Sequence, residues 1–128
     1  MFRIDGKVAV VTGGSRGIGR AISVLLAKAG AHVIVNYAGN EEAARETLAL
    51  ITAAGGQGEL CQFNVADDEA VQAAFKGIVD THKRLDILVN NAGIALDQLL
   101  MRVKPDEIER TFAINLAGPI YCAKAAIR

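Results

Sequence analysis

Apolar and polar positions come in alternating blocks along this chain. Val8 to Val11 form a short continuous apolar run that stops at Thr12-Gly13, which predicts a strand buried on both faces. Ile18, Ala21, Ile22, Leu25, Leu26 and Ala29 then recur at the helical period, and Gly30 stands where such a helix would end. His32 to Val35 predicts a second strand. Glu41 to Ala54 predicts a helix with Ala44, Leu48 and Ile51 inward and Gly55-Gly56 as its stop. Glu59 to Phe63 predicts a third, more polar strand. Asp67 suits the N-cap of a helix carrying Val71, Ala74, Phe75 and Ile78 on one face. Leu85 to Val89 predicts a fourth strand. The last helix begins near Pro105, with Asp106 and Glu107 at the positive end of its dipole. Pro119 inside that helix predicts a kink.

Strands alternating with helices over short connections predict an α/β fold: a three-layer arrangement around a parallel sheet, with right-handed crossovers. No repeat, linker or low-complexity stretch divides the chain, so residues 1–128 read as a single domain. Hydrophobic content of 52% against 22% charged residues favours a folded core over disorder. Lys+Arg and Asp+Glu are both 14, and this balance gives no general attraction to nucleic acid or to an anionic membrane. No apolar run reaches the length of a membrane span, and none precedes the first strand as a signal peptide would. Cys61 and Cys122 are too few for a disulfide framework and lack metal-ligand spacing. The expectation is a reduced, cytoplasmic protein.

The stretch VAVVTGGSRGIGRAI carries the first chemistry. Gly13, Gly17 and Gly19 lie between a buried strand and an amphipathic helix, the place where a pyrophosphate rests in dinucleotide-binding folds. Glycines there let the backbone turn tightly and approach phosphate oxygens, and the helix start supplies unpaired N–H groups. Three glycines serving a tight strand-to-helix turn is the plainer alternative.

The spacing is Thr-Gly-x-x-x-Gly-x-Gly, and it resembles the short-chain dehydrogenase/reductase family. NNAG at Asn90 to Gly93, Asn64-Val65 at the end of strand three, and Asn115 in INLAG strengthen the resemblance. Among members it looks most like the β-ketoacyl-acyl carrier protein reductases (3-oxoacyl-ACP reductases) of fatty-acid synthesis, through TGGSRGIGRAI, VNYAGN and NNAGIALDQLLMRVKPDE. The resemblance implies a half Rossmann-type sheet of order 3-2-1-4; the apolar fourth strand, which that order leaves at an edge, raises a flavodoxin-like 2-1-3-4 order as the alternative. The loop of Gly13, Ser15, Arg16, Gly17, Ile18 and Gly19 would be the pyrophosphate cradle. Asn64 and Val65 would meet adenine, and Asn90, Asn91, Ala92 and Gly93 would close over the cofactor. Simple capping of strand ends is the plainer reading of the asparagines.

An acidic residue after strand two commonly reads the ribose of NAD, but Asn36 and Tyr37 stand there and the next carboxylate is Glu41. Arg16 inside the loop offers a guanidinium for a 2′-phosphate. NADP(H) is therefore the expected cofactor, bound more weakly than by a complete enzyme because fewer groups desolvate it.

The tail YCAKAAIR tempts a different reading. In the resembling enzymes a tyrosine donates the proton as hydride arrives, a lysine supplies nearby positive charge, and the spacing is Tyr-x-x-x-Lys. Tyr121 and Lys124 are three apart and closely follow Asn115, whereas the family's pair lies after a fifth strand that carries the serine. Tyr121 is expected to pack, and Lys124 to be solvated. Of the family's catalytic positions only Asn115 is present, so the chain reads as the amino-terminal half of a reductase, inactive by itself, with a carrier-protein-linked substrate only in the complete enzyme. The alternatives are an engineered stand-alone nucleotide-binding or fold-forming module, and a reductase restored by pairing with a missing half. Ala95 to Met101 face either substrate or core. Apolar Phe112, Leu116 and Ile120, together with an apolar fourth strand left at an edge, favour a homodimer.

Overall fold

The computed structural model describes residues 3–93 and 102–127; Ala95 to Met101 lie outside the described residues. The elements are β1 (Val8–Val11), α1 (Gly17–Lys28), β2 (His32–Tyr37), α2 (Glu41–Ala53), β3 (Gln57–Gln62), α3 (Asp68–His82), β4 (Ile87–Val89), α4 (Pro105–Phe112) and α5 (Gly118–Ile127), with a π-helical turn at Ala113–Ala117 between the last two helices. All strand pairs are parallel and the sheet order is β3-β2-β1-β4. The expected order holds and the 2-1-3-4 alternative does not.

The period of two along β1 and β2 divides the core. Val8, Val10 and Ile34 face α3 and α5, joining Val71, Phe75, Ile78 and Cys122. Ala9, Val11, Val33 and Val35 face α1 and α2, joining Ala27 and Ile51. Phe75 meets Phe63 edge to face, with ring centroids 5.9 Å apart. Each large apolar side chain so enclosed contributes about 1.5–3 kcal/mol relative to exposure. Both cysteines are free thiols, and burial pushes that of Cys122 up to about 11.

Helix ends follow local chemistry. Asn40 and Asp67 accept from the amides of Ala43 and Ala70 at 3.0 and 3.2 Å, as N-caps should. At the end of α1 the amide of Gly30 donates to Ala27 and that of Ala31 to Leu26, closing the helix through its glycine.

Three readings of the pattern need correction. In α1 the buried residues are Gly19, Ser23 and Ala27, while Ile18 and Leu25 are 74% and 65% exposed. Ile22 and Leu26 pack half-buried against the core as expected, but along the line of closest approach only small side chains fit: a Cβ on Gly56 would stand 2.8 Å from that of Ala27. The last helix is two helices, because the expected break at Pro119 is taken up by the π-helical turn just ahead of it. That leaves the proline in the first turn of α5, where its missing N–H costs little. Strand four is shorter than expected, since Leu85 and Asp86 precede it. Tyr121 packs against the α3-side core and Lys124 is exposed. Phe112, Leu116 and Ile120 are exposed as well.

Asp86 ties the start of β4 to β1. Its carboxylate accepts from the Val8 amide at 2.9 Å and from Arg84 at 2.7 and 2.8 Å. The Arg84 hydrogen bond first, and that of Val8 second, pull its pKa from 3.8 to about 2. The folded state thus prefers the ionised form, and this stabilisation is fully present above about pH 4 and lost as pH falls toward 2. We expect Asp86→Asn to abolish that part of the acid dependence, measured by urea unfolding between pH 2 and 5. Parallel curves for the two proteins would contradict it.

Candidate functional site

Because the crossover after β3 returns past β1, the loops after β1 and β4 diverge from neighbouring strands, and a crevice opens at the carboxyl ends of the sheet. Two chemical devices hold those loops together. Thr12, fully buried at the end of β1, accepts from the amides of Asn91 and Ala92, both at 3.0 Å, and donates to the Val89 carbonyl at 3.3 Å. The Asn91 side chain returns the bond by donating to the Gly13 carbonyl at 3.0 Å.

Such closeness dictates glycine at two positions. Gly13 has φ +63, and a Cβ there would lie 2.9 Å from the Ala92 Cα. A Cβ on Gly19 would lie 2.2 Å from the Gly13 carbonyl oxygen and 2.5 Å from the Asn91 side-chain nitrogen. The start of α1 is therefore pressed against the crevice floor. Its N-cap, Arg16, makes no side-chain capping bond, and the first turn carries no acidic residue, so that turn keeps its donors and its partial positive charge.

On the β2 side, Asn36 is buried and its amide is fully engaged. It accepts from Gly13 N at 3.1 Å and donates to the Phe63 carbonyl at 3.0 Å and the Cys61 carbonyl at 3.3 Å. Its structural task is to staple the glycine loop to the ends of β2 and β3. The Tyr37 hydroxyl donates to Glu41 at 3.2 Å; burial, then this bond, raises its pKa. Arg20 steadies the loop from outside, donating to the Ser15 and Ala43 carbonyls at 2.7 and 3.0 Å and to Thr47 Oγ1 at 2.9 Å. Thr47 passes its own proton to the Gly14 carbonyl at 3.0 Å.

A cleft of about 340 Å³ results. Of the residues singled out in the sequence, it gathers Gly13, Ser15, Arg16, Asn36, Tyr37, Asn64, Val65, Asn91, Ala92 and Gly93. Gly17, Ile18 and Gly19 shape the helix start without lining it. Asn90 turns instead toward the Pro119 carbonyl at 3.5 Å. Asn115 sits behind Gly93, its side-chain oxygen 3.3 Å from where a Cβ on that glycine would stand. Arg110 and Ile114 also line the cleft, brought there by the approach of the last helices; their own spacing on an amphipathic helix carries no sign of it. Arg20 and Thr47 were likewise silent, each resembling an ordinary helix residue, and Thr12, though it opens the glycine motif, gave no sign of its bonds to Asn91 and Ala92. The lining among the described residues thus holds two arginines and no carboxylate.

The profile of the family described as short chain dehydrogenase matches residues 7–128. The chain belongs to the short-chain dehydrogenase family. Among its relatives, the 3-oxoacyl-[acyl-carrier-protein] reductase of Synechocystis sp. is 43% identical over 98% of this chain and 51% of its own length. The 3-oxoacyl-[acyl-carrier-protein] reductase FabG of Staphylococcus aureus is 47% identical over 94% of the chain and 49% of its own. A short-chain dehydrogenase from Burkholderia cenocepacia, solved in complex with NADP, superposes with a TM-score of 0.92 at 41% identity, covering 98% of this chain and 51% of that one. The chain spans about half the length of the curated relatives it matches.

For this short-chain dehydrogenase chain, Thr12 is the residue on which the site geometry rests. Thr12→Val keeps the shape but leaves two amides without their acceptor, which costs about 2 kcal/mol or more. We expect that loss in denaturant unfolding, with Thr12→Ser retaining most of the stability. A valine variant as stable as the parent would contradict it.

Proposed function

We propose that this chain is a single dinucleotide-binding domain that takes NADP(H) in the cleft at the carboxyl ends of β1 and β4, as part of a 3-oxoacyl-ACP reductase-like enzyme. The carrying observation is the lining itself: Arg16 and Arg110 with no carboxylate among the described residues. A ribose 2′-hydroxyl calls for an acidic acceptor, whereas a 2′-phosphate calls for guanidinium donors. The uncapped first turn of α1 suits the pyrophosphate. Asn64 and Val65 would border the adenine, and Ala92 and Gly93 the far side of the cleft. The NADP complex of the Burkholderia relative and the reductase names of the Synechocystis and Staphylococcus relatives support this reading.

Bound dinucleotide supplies hydride chemistry; what these residues do is bind and orient it. Proton delivery to a carbonyl needs a hydroxyl of tuned pKa beside a cation, and neither Tyr121, packed against the core, nor exposed Lys124 stands at the cleft. We therefore assign to the 128-residue chain binding without turnover, reduction of a carrier-protein-linked 3-oxoacyl group requiring residues outside it.

Calorimetric titration tests the reading. The parent should bind NADPH saturably and more tightly than NADH. Arg16→Ala should weaken NADPH by about tenfold or more, the scale of one charge-assisted hydrogen bond, with NADH little changed. Equal losses for both cofactors would remove the 2′-phosphate assignment, and absence of NADPH binding by the folded chain would remove the function.

A further inference from the structure

A second cluster of chemistry-bearing side chains lies toward the opposite end of the sheet from the cleft. His32 opens β2, Glu59 lies on β3, and His82 closes α3. Both imidazoles present Nε2 to one carboxylate oxygen, Glu59 Oε1: His32 at 3.1 Å, and His82 in a hydrogen bond to the same atom. The two rings are 4.7 Å apart at their centroids, tilted by 40°. One ligand atom from each of the three residues lies within 4.8 Å of the others. All three side chains are partly open to solvent, so an ion and its water ligands have a way in. The dinucleotide reading makes no use of them.

The topology explains the convergence. His32 and Ile34 share the α3-facing side of β2, and Glu59 is the register partner of Ile34 on β3. Ile78 of α3 is buried against that face, and one turn later the helix delivers His82 above Glu59. Three elements, each distant in sequence, thus aim one donor atom at one point.

We propose that His32, Glu59 and His82 bind a divalent transition ion of the zinc class. Two imidazole nitrogens and one carboxylate oxygen make a borderline-soft set that suits zinc, cobalt or nickel and disfavours magnesium and calcium, which take oxygen donors. Three protein ligands leave the remaining positions to water. The ion ties the β3 edge of the sheet to the end of α3, so its binding stabilises the fold by linkage.

The chain holds only two histidines, and both belong to the cluster, which makes the test unambiguous. Zn²⁺ is titrated into the reduced chain by calorimetry and followed by the histidine ring resonances, with Mg²⁺ as the control ion. The expected result is one Zn²⁺ per chain, both histidine signals shifting together up to one equivalent, a raised melting temperature, and no response to Mg²⁺. Glu59→Gln, which keeps the side-chain shape, and His82→Ala should each weaken Zn²⁺ by at least about tenfold, as even the loss of outer-shell partners does at metal sites. Should His82→Ala fail to fold, Glu59→Gln decides. Zn²⁺ uptake that leaves both histidine signals unmoved, undiminished affinity in Glu59→Gln, or no binding at millimolar Zn²⁺ would overturn the assignment.

Discussion

The hydroxyl of Thr12 joins parts of the chain that are nearly eighty residues apart. It accepts from two consecutive amides, of Asn91 and Ala92, and gives its own proton to Val89. A parallel sheet whose strand order reverses beside β1 must leave its neighbouring loops splayed. Irregular backbone at such a place has polar groups that need partners when water is excluded. Thr12 supplies them from the end of β1, and Asn91 answers through the Gly13 carbonyl. The crevice thus has a floor before any ligand arrives.

Much of the surrounding design follows from the closeness that this clasp imposes. Gly13 and Gly19 are bare because the Ala92 backbone, the Gly13 carbonyl and the Asn91 side chain occupy the space a Cβ would need. α1, starting there, runs down the sheet on Gly19, Ser23 and Ala27 with Ile22 and Leu26 half-buried beside them, and Ile18 and Leu25 are left outside. Asn36, Thr47 and Arg20 form a second ring of bonds that holds the loop from the β2 and α2 side. Such fully satisfied networks rigidify a site and specify its shape.

The strand runs, the order of the sheet and the cap at Asp67 were legible in the sequence or in its family resemblance, because continuous apolar runs, turn chemistry and capping residues act locally. Most of the cleft lining was legible too, from the glycine spacing and the asparagine segments. What escaped depends on distance in space rather than in sequence. The most buried line of α1 is decided by how near the helix must come to the loop, so the hydrophobic period finds Ile22 and Leu26 but misplaces Ile18 and Leu25. Arg20 and Thr47 are ordinary residues until folding gives them partners, the motif position of Thr12 does not reveal its bonds across the sheet, and Arg110 reaches the cleft only through the packing of the last helices. The π-helical turn ahead of Pro119 reflects a choice between distorting one turn and losing a hydrogen bond, which residue pattern does not decide. His32, Glu59 and His82 have no ligand-like spacing at all, and only the parallel register together with the length of α3 brings them to one point.

The family match and the fold agree that this chain is a short-chain dehydrogenase with a parallel sheet of order β3-β2-β1-β4. The account of how its crevice is held rests on the Thr12 clasp, and amide hydrogen exchange of the ligand-free chain measures that clasp directly. Asn91 and Ala92 lie in irregular backbone and are only half-buried, so without the clasp their amides would exchange as freely as those of an open loop. The account predicts that both are protected to nearly the same free energy as the β1 amides, opening only with global unfolding. Exchange of those two amides at the rate of an unstructured peptide, in a chain whose β1 remains protected, would contradict it.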